Sequence, residues 1–218
     1  MRISATQLES FRLFLQPDQE WMSEADLLAT LRGEFTPTPK MALGTAFGAV
    51  LEDPDRYAVR GFTADQTTAY QCGGYTFSAD MMAPALAMFD RRGVFEAKAT
   101  KAYGPHVVVA KADQLLGAQI IENKTTLSSF DFEKYANSYQ WRFMADIFEP
   151  AFITYRVFLL AENDAGIPSL RGIEEFNLFP YADLHQDCCA LLDTFVAYAT
   201  AMGVADVLNE RQRLAEVA

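Results

Sequence analysis

Two apolar runs in the middle of the chain constrain its fold more than anything else in it. HVVVAKAD ends at Asp113, and AQIIENKTT covers residues 118–126. Both are rich in β-branched residues and too short for ordinary helices, so they read as buried strands. Gly104-Pro105 and Gly117 punctuate them, and the alternating VFEAKATKAY before them adds a third strand to a meander. Yet these runs enclose an aspartate, a glutamate and a lysine. A charge inside a core costs several kcal/mol unless something pairs with it.

Side chains alternate along a strand, so Glu122 and Lys124 share one face and Asn123 takes the other. If the strands pair through the turn at Leu115–Gly117, Asp113 approaches Glu122 on that shared face. Two close carboxylates repel, and each protonates more readily than it stays charged beside the other. A divalent cation removes the conflict, and hard oxygen donors suit Mg²⁺ or Mn²⁺. An E-x-K on a strand is equally the pattern of an exposed ion pair, and the three letters alone leave that open.

The remaining pattern supplies helices around this meander. Ser4 caps a helix running to Pro17, and a second covers Ser23 to Arg32 before Gly33. FTPTPK is extended, and MALGTAFGAVLEDP is helical to Pro54. Thr67 to Phe77 forms a strand or hairpin, and ADMMAPALAMFDRRG a helix broken near Pro84. One long helix spans about Phe132 to Phe148. FITYRVFLLAEN and GIEEFNLFPY are strands, and a helix from Ala182 to Met202 precedes a short charged helical tail. The expected fold is α/β with a central mixed sheet flanked by helices. A single domain over residues 1–218 is expected, with its core at about 41–180 and helical elements at both termini.

Half of the 218 residues are hydrophobic and the net charge is -11, so the molecule as a whole does not attract nucleic acid. Arg91 to Arg142 nevertheless hold eight Lys or Arg against five Asp or Glu. A polyanion would have to meet this segment. Cys72, Cys188 and Cys189 form no disulfide framework and lack the four-cysteine set of an iron-sulfur cluster. With no secretory pattern and no run of ~20 apolar residues, a soluble cytoplasmic protein is expected, with no membrane partner. His106 and His185 have no partner at metal-ligand spacing and read as structural or surface residues.

Asp113 followed by Glu122-Asn123-Lys124-Thr125-Thr126 resembles the PD-(D/E)XK nuclease superfamily, in the branch of RecB-like, lambda-type and RecE-type phage or recombination exonucleases. NSYQWRFMADIF resembles the helix that follows, with its glutamine at Gln140, and LGTAFGAVLEDPDRY resembles an upstream helix of that branch. The resemblance spans roughly Met41 to Phe148, with a weaker echo in SATQLESF. Gly48 stands where the family often places a metal-binding histidine, and Met144 where tyrosine is common.

The resemblance implies a restriction-endonuclease-like core and a metal-dependent DNA exonuclease of phage, recombination or repair type. It further implies Mg²⁺ or Mn²⁺ held by Asp113, Glu122 and the main chain of Asn123. Lys124 would position or activate water, and Gln140 would reach the lysine, the water or the DNA backbone. Glu52, one turn beyond Gly48, is the candidate substitute ligand, or else a surface glutamate at a helix end. Thr125, Thr126 and Ser128 either contact phosphate oxygens or form a turn. Lys111, Lys134 and Arg142, with Lys98 and Lys101, are candidates for steering DNA. Expected partners are linear duplex DNA, further copies of the chain in a homo-oligomer, and a single-strand annealing protein. The rival expectation is a catalytically weakened nuclease fold that binds DNA or protein.

Overall fold

The computed structural model describes residues 1–16, 22–61, 67–89 and 91–209. The stop expected at Pro17 and most of the charged tail fall outside these residues. Where the chain is apolar and β-branched it forms the expected meander: β5 (Val94–Tyr103), β6 (His106–Leu116) and β7 (Gln119–Thr126). Gly104 and Gly117 turn the chain at φ 57° and 60°, values open to a residue without Cβ. The sheet continues through β8 (Phe152–Glu162), parallel to β7, and β9 (Pro168–Leu178), antiparallel to β8.

A three-residue strand that the sequence pattern does not announce, β1 (Arg2–Ser4), completes the six-stranded sheet. Its position explains the site. One edge of β6 pairs with β5 along its length, while the other edge is divided. Val107–Val109 take β1 in parallel, and only Gln114–Leu116 pair with β7. From Glu122 onward β7 is paired to β8 alone. The two strands that carry the acidic residues therefore part where those residues sit.

Helices cover both faces. α1 (Ala5–Phe14), opened by a capping box of Ser4 and Gln7, packs with α7 (Tyr139–Phe148) and α8 (Leu184–Ala201) over Val108, Ala110, Ala112, Ile153, Tyr155 and Val157. On the other face α3 (Pro39–Glu52) and α5 (Ala79–Ala87) pack over Phe158 and Leu160. β8 thus sends alternate side chains into two cores, as strand geometry requires. The molecule is mixed α/β with a central mixed sheet between helices, as the sequence predicts.

Several local expectations need correction. The single helix over 132–148 is two, α6 (Phe132–Ala136) and α7, because Ser138 leaves the helical region and its Oγ accepts the Gln140 main-chain N–H at 3.1 Å. Pro84 does not break α5: Met82 and Ala85 are buried beside it, and that packing outweighs the lost main-chain bond. α3 begins earlier than expected, with Thr38 as cap and Pro39 in the first turn, where no N–H is needed. α2 (Glu24–Arg32) ends at Gly33 in the left-handed conformation, as expected. The hairpin is β3 (Thr67–Cys72) and β4 (Tyr75–Ser78), turned by Gly73-Gly74, and β2 (Ala58–Arg60) joins it in a separate small sheet after the short α4 (Pro54–Tyr57).

Gly44 sets how closely α3 approaches β7. A Cβ there would lie 2.3 Å from Thr125 Oγ1. Helix propensity favours alanine over glycine by about 1 kcal/mol in a helix interior, but a contact that short forces a shift worth about 1–3 kcal/mol. Gly44→Ala is therefore expected to destabilise the fold despite its better helix former. Denaturant unfolding checks the sign, and a midpoint above wild type would contradict the close approach.

Candidate active site

Glu122 projects from β7 into the layer beneath α7, and its side chain is 2% exposed. One oxygen, Oε1, accepts from Lys124 Nζ at 2.6 Å and from Gln140 Nε2 at 3.0 Å, while Lys124 Nζ also donates to Gln140 Oε1 at 3.0 Å. The three side chains close a triangle. Burial works against the charge on Lys124, but the carboxylates of Glu122 and Asp113 outweigh it and hold the ammonium above its ordinary range. Lys124 stays charged. Two of its three donors are spent, and the third remains for water or a phosphate oxygen.

Gln140 reaches this triangle because the chain breaks before it. The break at Ser138 places Gln140 in the first turn of α7, and α7 is tied down by Glu9 of α1, whose Oε2 accepts the Tyr139 main-chain N–H at 2.6 Å. A carboxylate at a helix N-terminus is stabilised there. Glu9 was not among the residues expected from sequence, although SATQLESF contains it. Its charge also acts on Lys124.

Asp113 stands where β6 parts from β7. Its Oδ2 accepts the Asn123 main-chain N–H at 2.8 Å, filling a place that a strand ladder would otherwise use. Burial, and next to it the charge of Glu122, push the Asp113 carboxyl up to about 7. Asp113 and Asn123 line a cleft of about 350 Å³, together with Thr45, Gly48 and Glu52 of α3, and Glu96 and Lys111 of β5 and β6. Burial, then the charge of Glu96, raises the Glu52 carboxyl, with Lys111 opposing. Glu52 therefore sits in the cleft with Asp113.

Glu96 is a second residue that sequence reasoning missed. It adopts φ 54°, a left-handed conformation uncommon for a glutamate within a strand, and it pairs with Lys111. The β5–β6 pairing steps from Phe95↔Gln114 to Ala97↔Ala112 across it. No periodicity signals such a residue.

Glu122 Oε2 is buried with no hydrogen-bond partner, and so is Asn123 Oδ1. An orphaned carboxylate oxygen beside a second, electrostatically strained carboxylate fits a divalent cation. Among the described residues no three His, Cys, Asp or Glu side chains converge on one metal position.

The other expected residues are placed as follows. Thr126 Oγ1 lies 2.8 Å from Ser128 Oγ and accepts the Ser128 N–H at 3.2 Å, so these two form a turn after β7. Thr125 faces Gly44. Lys134 is exposed on α6 and does not line the cleft. Arg142 also lies outside the cleft lining; its guanidinium packs over Tyr139, with 4.4 Å to the ring centroid, and reaches Asp187 at 3.9 Å. Lys101 is bound to Asp146 at 3.1 Å. Met144 is a core residue, and Trp141 is buried with its indole N–H donated to Ala136 O. His185, expected to be isolated, is not: its Nδ1 lies 2.9 Å from Asp146 Oδ2.

No protein-family model and no curated protein matches the sequence itself. Similarity appears in three dimensions. The alkaline exonuclease LHK-Exo from Laribacter hongkongensis is 11% identical, with 100% of this chain and 95% of that one covered at a TM-score of 0.51. The crystal structure of SSO0001 is 14% identical and covers 90% of this chain and 76% of its own at a TM-score of 0.50. In this chain, then, a mixed sheet opening between β6 and β7 and overlaid by α3 and α7 is similar in fold to the alkaline exonuclease LHK-Exo, a likeness of architecture and not of sequence.

Proposed function

We propose that the chain is a metal-dependent exonuclease acting on linear duplex DNA. The observation that carries this reading is the Glu122–Lys124–Gln140 triangle beside Asp113 at the parting of two strands. Asp113, Glu122 and the Asn123 carbonyl would hold the Mg²⁺ or Mn²⁺, and the bound ion would supply Lewis-acid stabilisation of a phosphate and a more acidic water. Lys124, being charged, does not take a proton; its free donor orients water and stabilises negative charge developing on a phosphate oxygen. Gln140 fixes the ammonium against Glu122 so that this donor keeps one direction. Lys111 and Glu52 border the path of the strand.

Purified protein with linear duplex DNA and Mg²⁺ or Mn²⁺ should release nucleotides, while covalently closed circular DNA should survive. Lys124→Ala and Glu122→Gln should each lower the rate by about a hundredfold or more with the fold retained. Intact linear DNA across a range of both metals would refute the assignment.

The Asp113 carboxyl generates a pH prediction. In the unfolded chain it releases its proton near pH ~3.9, and in the metal-free native state near 7. Between these values the native state holds more protons, so stability falls as pH rises through the window. Relative to Asp113→Asn, the wild type should lose thermal stability from about pH 4 to 7, and Mn²⁺ should restore it above pH 7. A pH-independent difference between the two proteins would show that Asp113 is not strained.

A second reading, a nuclease fold that binds DNA with weakened metal affinity, is favoured by one observation: Gly48 leaves open space in the cleft, with nothing within 4 Å of an added Cβ. Gly48→His is expected to tighten Mn²⁺ binding severalfold in calorimetric titration. Absence of any Mn²⁺ uptake that depends on Asp113 in the parent protein would select this second reading.

A further inference from the structure

On α8, His185 and Cys189 are four residues apart and share one face of the helix. Cys189 Sγ lies 3.5 Å from His185 Nε2, and His185 Nδ1 lies 2.9 Å from Asp146 Oδ2 on α7. Asp146 is 8% exposed and is held by two other groups, the Tyr103 hydroxyl and Lys101 Nζ. The Tyr103 ring also stacks on the imidazole, with centroids 5.5 Å apart and planes at 22°. Those bonds lower the Asp146 carboxyl against its burial, so it is ionised and accepts the Nδ1 proton. Nε2 is then the unprotonated nitrogen, and it faces the thiol. Thiol, imidazole and carboxylate are arranged in series, with the tautomer set by the buried end.

We propose that Cys189 is a reactive thiol, switched on by His185 and Asp146, that exchanges with small-molecule disulfides. The Sγ proton passes to His185 Nε2. Sγ attacks one sulfur of the disulfide, the new S–S bond forms as the old one breaks, and the departing thiolate takes the proton back from Nε2. Cys189 is oxidised to the mixed disulfide, and the released half of the reagent is reduced to a thiol. Burial, then Asp146 and Asp193, push the Cys189 thiol up, with Lys101 opposing. Transfer to His185 sidesteps that cost, because the imidazolium formed stands against Asp146. Cys188 next to it is fully buried, and burial holds its thiol well above the ordinary range. Among the described residues no metal-ligand cluster includes these groups.

The test uses the full chain and an aromatic disulfide whose released thiolate is coloured. One equivalent should react fast near pH 7, with the added mass mapped to Cys189, and Cys189→Ser should abolish that phase while Cys188→Ser leaves it. Because the surroundings disfavour a resting thiolate, His185 acts by taking the Sγ proton as the attack proceeds, so His185→Gln should slow the phase about fivefold to tenfold. The wild-type rate should also be flatter with pH than that of His185→Gln. Because His185 is 53% exposed at its side chain, this variant is expected to fold, and Asp146→Asn is the second probe. A fast phase that maps to Cys72 or Cys188, or one indifferent to both substitutions, overturns the proposal.

Discussion

Lys124 is a half-buried ammonium placed among carboxylates, one of them, Glu122, almost fully enclosed. Burial alone would neutralise it; Glu122 and Asp113 keep it charged. That balance makes demands on the rest of the molecule. Glu122 must be buried to grip the lysine, Gln140 must be delivered to both, and Asp113 must be close enough to be felt without pairing into the ladder. A buried ion pair of this kind contributes little to stability and much to geometry.

The sheet meets these demands by coming apart. β1 occupies the edge of β6 that β7 would otherwise continue along, so β7 turns to β8 and a gap opens at Asp113 and Glu122. The Asp113 carboxylate takes one main-chain N–H that the parting frees. Gly44 lets α3 close on one face, bringing Gly48 and Glu52 over the gap, and Glu9 pins the start of α7 on the other. The left-handed Glu96 adds a further carboxylate at the rim.

α7 links the two constellations. Gln140 in its first turn serves Lys124, and Asp146 near its end anchors Lys101, Tyr103 and His185. Both ends use the same device, a polar side chain held from several elements so that one remaining atom points in a single direction. The difference is in what the atom meets: a free ammonium donor at one end, a ring nitrogen against a thiol at the other.

Legible in the residues alone were the strand meander, its turns and the caps of α1 and α2, because these follow from local periodicity; charges set within apolar runs singled out Asp113, Glu122 and Lys124, and Gln140 came only from the family resemblance. The sequence could not show the break at Ser138, since α6 and α7 share a continuous helical pattern, nor the continuity of α5 through Pro84, which rests on packing around Met82 and Ala85. β1 is three residues long and acquires meaning only beside β6. Glu9, Glu96 and the His185–Asp146 contact were invisible for the same reason. Each depends on groups far apart in the chain meeting in a low-dielectric interior, and only tertiary structure decides which of the many charged residues meet there.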